Sequence, residues 1–260
     1  MAGFPGNILK LLFIIVTLGT AYSVVYQTYL DTSNPLITHL PHHLHKTHYF
    51  ANKKNALNVY FIKKVWGWTT LAFVLLFASS PQQIRKFRRL AQYFIETAVW
   101  LGFTAWFFGP PLLERLVAST GGSCVVVLPA GGVVDVPHEL CYTKSTISPA
   151  THPAIFTSPF MVPDASWSAT PRLRKGHDVS GHLFLLTMSV LFLTDQIRYS
   201  FLDVRSSSGR RREEAMGWSP IHVLAIIFNV LVVLASIVSV YATSVYFHTP
   251  FEKFSGFCKY

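Results

Sequence analysis

Ser180-Gly181-His182 stands at the mouth of an apolar run, Leu183-Phe184-Leu185-Leu186, and a second histidine closes another long apolar run in Tyr246-Phe247-His248-Thr249-Pro250-Phe251-Glu252-Lys253. Two imidazoles suit phosphoryl chemistry. One attacks phosphorus and forms a phosphohistidine, and the other gives a proton to the leaving oxygen. Glu252 is the carboxylate available to orient the nucleophile by accepting its second N–H. Plainer readings stand beside these. Ser180 and Gly181 can cap a helix and permit a tight turn, and a lone interfacial histidine often does no more than contact a headgroup. Thr249-Pro250-Phe251-Glu252 fits a capping box, with Thr as N-cap, Pro at the first helical position and Glu at the third. For Glu252 the capping reading is the stronger of the two.

These residues can meet only if a membrane organises the chain. With 260 residues, 51% hydrophobic and only 13% charged, and a mean hydropathy of +0.37, the sequence is too apolar for a water-soluble domain of its size. Runs long enough to cross about 30 Å of hydrocarbon lie near Ile8–Leu30, Val59–Ser79, Ala91–Val117, Gly181–Ile197 and Ile221–Phe247. The expected fold class is therefore all-α, a polytopic helical membrane protein with five full spans. Pro81 closes the second run, Ser219-Pro220 reads as an N-cap followed by proline, and Ser180 can cap the fourth. A signal peptide is the alternative for the first run, since Gly19-Thr20-Ala21 resembles a cleavage site. Apolar character continuing past Ala21 and a single Lys10 before it favour a span.

Basic residues set the expected orientation. Arg85, Lys86, Arg88 and Arg89 follow the second run, and Arg198, Arg205, Arg210, Arg211 and Arg212 follow the fourth, so both segments and the N-terminus face the cytosol. Lys46, Lys53 and Lys54 argue weakly the other way. The long segment 118–180 then lies in the lumen, where Cys124 and Cys141 can form a disulfide; two free thiols in a poorly ordered loop are the alternative. Its apolar stretch Cys124–Val134 is too short to span and reads as a loop touching the interface. The net charge of +10 fits this bias and attraction to anionic headgroups. Nothing else supports nucleic-acid binding.

Histidines 39, 42, 43, 45 and 48 form a separate cluster that could hold a divalent ion, but no cysteine or carboxylate except Asp31 stands close, and no metal is assigned. Lys63, Lys64, Glu96, Glu114, Arg115 and Asp195 fall near the ends of runs, where snorkelling makes them inexpensive. With no ionisable residue in the middle of a span, a transporter is disfavoured.

Asp178-Val179-Ser180-Gly181-His182-Leu183-Phe184-Leu185-Leu186, together with Val245-Tyr246-Phe247-His248-Thr249 and Glu252-Lys253, resembles the two signature blocks of the fat storage-inducing transmembrane (FIT) proteins of the endoplasmic reticulum, themselves similar to a branch of the lipid phosphate phosphatase superfamily. The tight match covers about a tenth of the chain; the hydropathy layout extends it loosely over most of the rest. The resemblance implies a multi-pass endoplasmic reticulum hydrolase that cleaves the diphosphate of fatty acyl-CoA at the lumenal face, without a cofactor, and supports lipid-droplet formation and phospholipid homeostasis. Its partners would be acyl-CoA and membrane lipids. By motif matching His182 corresponds to the acid and His248 to the nucleophile.

The broader phosphatase pattern is incomplete. Glu252 matches its His-x-x-x-Asp in position but not in type, Tyr241-Ala242 stand where Ser-Arg would precede His248, and Lys-x6-Arg-Pro is missing. Arg172, Arg174 and Lys175 beside the first block could bind phosphate oxygens, though a solvated basic turn explains them as well. The family has six spans, whereas the helix begun at Thr249 stops after about ten residues, half of a crossing. The chain thus reads as C-terminally truncated, or its tail dips into the lumenal interface. The functional alternative is a non-catalytic lipid-binding or lipid-partitioning membrane protein, which would need the spans but not both histidines.

Overall fold

The computed structural model describes residues 3–30, 42–104, 112–129, 132–156, 163–164, 166–174, 179–206 and 218–258. It divides into two units, one made of Met1–Tyr29, Leu44–Trp100 and Ser180–Tyr260, the other of Leu30–His43 and Leu101–Val179.

The first unit is a helical bundle built from α1 (Gly3–Val25), α2 (Val65–Ser79), α3 (Phe87–Thr104), α6 (Gly181–Ser206), α7 (Pro220–Tyr246) and a short α8 (Pro250–Cys258). Proline and capping side chains set its boundaries. Ser219 Oγ accepts from the His222 N–H at 3.2 Å ahead of Pro220, and Ser180 Oγ faces the Leu183 N–H at 3.4 Å ahead of Gly181. Pro81 follows the end of α2.

This unit has an apolar core that includes Leu12, Phe73, Leu186 and Val240, but α7 mixes small and polar residues into its buried face and turns large apolar ones outward. Along α7 the buried face carries Ala225, Asn229, Ser236, Ser239, Ala242 and Ser244, while Ile221, Leu224, Leu231 and Leu234 point outward. Exposure of 65% at Leu224 and 57% at Leu231 would be costly in water, at about 25 cal/mol per Å² of apolar surface, and costs nothing in lipid. Small residues at the contact let backbones approach: a Cβ on Gly19 would lie 2.8 Å from Ser244 Cβ. Polar pairs tie the helices across the core, Thr69 Oγ1 donating to Ser189 Oγ at 2.9 Å and Asn229 Nδ2 to the Ala72 carbonyl at 2.8 Å.

Among the described residues three helical segments, Gly6–Val25, Leu57–Ser79 and Pro220–Tyr246, are long and apolar enough to cross a membrane. The run read as one span over 91–117 falls on α3 and on α4 (Leu112–Ser119), with 105–111 outside the described residues. Arg89, counted in the sequence among four loop cations, lies on α3 and is fully buried.

The second unit corrects the all-α expectation. It holds an antiparallel three-stranded sheet, order β2-β1-β3, made of β1 (Ser123–Val127), β2 (Val133–Val136) and β3 (Arg172–Arg174). The stretch read as an interfacial loop is thus strand. Its valines, 125–127 and 133–134, are β-branched and favour the pleated backbone, and the Pro/Gly-containing gap between the two runs is a hairpin signal. Cys124, Val126, Val136, Cys141 and Ile147 form its core. Cys124 is disulfide-bonded to Cys141 of α5 (His138–Tyr142), so the bridge rather than the pair of free thiols is what the fold contains.

Candidate functional site

Chain direction gathers the two histidines. α6 and α7 are antiparallel neighbours: Ser200, late in α6, meets His222, early in α7, with Oγ 3.1 Å from Nε2. The start of α6 and the end of α7 therefore share the other end of the bundle, which carries His182 and His248. α1 ends there too, since Thr28 Oγ1 donates to the Val245 carbonyl at 2.8 Å.

α8 closes this end. After Tyr246 the chain turns through His248, whose φ of +63° is left-handed, a conformation that costs a non-glycine residue about 1–3 kcal/mol and is concentrated at functional sites. The helix then folds back onto the turn before α6. The Ser180 N–H donates to the Glu252 carbonyl at 3.3 Å, and a Cβ on Gly256 would fall 2.7 Å from the Ser180 carbonyl oxygen. Only glycine allows that approach. Phe257 enters the main core and packs its ring 5.9 Å from that of Phe13. The two signature blocks are thereby in direct contact.

His182, at the first turn of α6, keeps an exposed surface while protein encloses much of its ring; that burial is the largest influence on the imidazole, followed by the charges of His248 and Lys63. His248 is mostly buried: its side chain is 14% exposed, and Nδ1 lies 3.6 Å from Glu252 Oε2. That separation is too long for a hydrogen bond, and Nδ1 is a buried nitrogen without a hydrogen-bond partner. Glu252 Oε2 also accepts the Thr249 N–H at 2.8 Å. One carboxylate oxygen thus serves the helix cap and faces the imidazole, so the two readings of Glu252 do not compete.

The remaining expected residues divide. Ser180 is fully buried and caps α6. Gly181 opens that helix. Arg174 belongs to the second unit, on β3 opposite Ser123, and Lys175 lies outside the described residues. Of the loop histidines, His39 is also outside them; His42 and His43 stack at 4.5 Å, and His48 stands 5.9 Å from the Tyr246 ring. Among the described residues no group of three or more His, Cys, Asp or Glu side chains is arranged to hold a metal ion.

Sequence reading passed over Lys253. It is fully buried, its Nζ donates to Ser23 Oγ of α1 at 2.7 Å, and it sits over the Tyr29 ring at 5.4 Å. Burial pushes its ammonium down to about 8, with the neighbouring Glu252 opposing that shift. The helix itself carries no signal for this: residues 252 and 253, about 100° apart on a helix, can both face water, and the surface on which α8 lies decides that they do not.

A family model described as fat storage-inducing transmembrane protein matches residues 46–259, a stretch containing both signature blocks and α8. The chain belongs to this family. Acyl-coenzyme A diphosphatase fit1 of Schizosaccharomyces pombe is 31% identical over 211 residues, covering 81% of this chain and 69% of that protein. Acyl-coenzyme A diphosphatase FITM2 of Danio rerio is 27% identical over 218 residues, covering 80% and 68%. Fat storage-inducing transmembrane protein 1 of Mus musculus is 30% identical over 162 residues, covering 60% and 45%. No solved structure matches the chain.

Proposed function

We propose that this family member is a membrane hydrolase that cleaves the diphosphate of fatty acyl-CoA, with His248 as nucleophile and His182 as general acid and base. The observation that carries the pairing is the seating of α8 on the Ser180 turn, which joins the two histidine blocks at one end of the bundle. The relatives named acyl-coenzyme A diphosphatase supply the substrate class.

With Nδ1 facing Glu252, His248 has Nε2 left to attack phosphorus. The P–N bond forms as the bridging P–O bond breaks, and His182 gives its proton to the departing phosphate oxygen. Water then attacks the phosphohistidine, His182 takes the water proton, and cleavage of the P–N bond restores His248. The products are acyl phosphopantetheine and adenosine bisphosphate. This route needs no metal ion.

The five-span topology, with the N-terminus cytosolic and residues 118–180 lumenal, belongs to the same proposal, as do the endoplasmic reticulum location and the support of lipid-droplet formation and phospholipid homeostasis. A disulfide in the second unit accords with a lumenal, oxidising setting. Glycosylation sites engineered into 118–180 should be modified; modification near Arg88 instead would reverse the orientation. The activity is tested with purified protein in detergent and oleoyl-CoA, following release of adenosine bisphosphate with and without chelator. The relative named only for fat storage makes a non-catalytic lipid-partitioning role the competing reading. Full rescue of lipid-droplet formation in cells by H182A/H248A would favour that role.

A further inference from the structure

We propose that Lys63 is the cation that holds the substrate's diphosphate between His182 and His248, a role that rests on the hydrolase reading. The phosphatase-type pattern lacks its usual basic residues before His248, so a site for a doubly negative diphosphate needs positive charge from elsewhere. Lys63 supplies it from an irregular piece of helix. Leu57–Phe61 forms a π-helical turn and Ile62–Lys64 a 3₁₀ turn before α2 begins at Val65. Such interruptions shift the direction of the following side chains and are frequent at functional sites. The Tyr60 carbonyl in this irregular stretch takes the Trp68 indole N–H at 2.8 Å, so the distortion is held by a specific contact.

Neighbouring residues anchor the geometry. Ile62 is buried in the same core cluster as Leu183 and Leu186, and the Ile62–Lys64 turn packs directly on α6. Lys63 and His182, next in sequence to two residues of that core, are both exposed. The Lys63 charge acts on the His182 ring, and no carboxylate among the described residues neutralises it. An exposed, unneutralised ammonium beside an imidazole pair repels protonated histidine and attracts phosphate. As a compact point charge on a flexible stem, it suits a ligand that must change shape during reaction.

The test uses the full-length protein purified in detergent, with K63Q, K63R and, as a neighbouring control, K64Q. With oleoyl-CoA, K63Q should raise KM at least tenfold, K63R should restore it to within threefold, and K64Q should stay within twofold of the parent. KM and kcat both within twofold for K63Q would overturn the assignment while leaving the hydrolase reading intact. A second measurement does not depend on turnover: saturating coenzyme A should slow acylation of Lys63 by an amine-reactive ester at least fivefold, read by mass spectrometry, with Lys64 unprotected. Absence of protection overturns the Lys63 role. Protection of Lys63 in a protein that releases no adenosine bisphosphate would keep the diphosphate site and reject the hydrolase.

Discussion

At one end of the α6–α7 pair, both ring nitrogens of His222 are engaged, Nδ1 3.0 Å from Ser79 Oγ and Nε2 3.1 Å from Ser200 Oγ. At the other end, about 27 Å away along α6 at 1.5 Å per residue, His248 sits on left-handed backbone with a buried Nδ1 that has no hydrogen-bond partner, and His182 is exposed. The cations differ in burial. Arg89 donates through Nε to Gln196 Oε1 at 2.8 Å and through Nη1 to Ser80 Oγ and the Ile84 carbonyl at 3.2 Å each, with the Phe77 and Tyr199 rings 5.4 and 5.2 Å away, while its Nη2 is buried without a hydrogen-bond partner. Lys63 has no acid partner among the described residues. Hydrogen-bonded polar groups hold helices together at the His222 end, whereas the left-handed backbone and unpaired ring nitrogen of His248 are features maintained at a cost in stability.

The sharpest way to break this contrast is to remove histidines from both ends. H182A and H248A should each lower diphosphate hydrolysis at least about a hundredfold with insertion intact, and H222A should leave activity per folded molecule within twofold. Equal losses at the two ends would make the bundle end no more than structural. G256A comes next. Its methyl would meet the Ser180 carbonyl and lift α8, so kcat should fall roughly tenfold to a hundredfold, the scale of a misplaced catalytic group, and an unchanged kcat would detach α8 from the site.

R89A should do the reverse. It strands the acceptors on Gln196 and Ile84, so stability in detergent should drop by about 2–3 kcal/mol, with kcat preserved in the fraction that remains folded. E252Q should cost less than H248A, a few-fold in kcat, because glutamine can still cap the Thr249 N–H but carries no charge to orient imidazolium.

A pH dependence of stability is expected from Lys253. Its folded pKa, about 8, is below the usual 10.5, so the unfolded chain binds more protons between those values. Stability should rise with pH across that window and level off above it. K253M should flatten the rise in thermal melts followed from pH 7.5 to 10.5; an unaltered slope would show that Lys253 is not the source.

Much of this was legible in the sequence. Twenty-residue apolar runs dictate helices in lipid because an unsatisfied backbone amide is too costly there. The caps at Ser180 and Ser219 and the Glu252–Thr249 contact follow from local rules spanning three or four residues. Both histidine blocks could be read from residue type and from their places at the ends of runs. The sheet was missed because a span-length criterion discounts short valine runs, although their β-branched character was visible. Lys253 and Gly256 were missed because burial and close approach belong to the partner surface, not to the helix that bears them.

By itself, then, the chain determined its helices, their order, their caps and the residue types offered at each end, because backbone hydrogen bonding and hydrophobic transfer act on short stretches. Tertiary structure alone decided that α8 turns back onto Ser180, that the Ile62–Lys64 turn packs on α6, that Arg89 is buried against Gln196, and that His222 is hydrogen-bonded through both ring nitrogens while His248 Nδ1 has no hydrogen-bond partner. Each of those outcomes is a contact between residues far apart in sequence. Its energy depends on side-chain volumes and approach distances that no local pattern encodes.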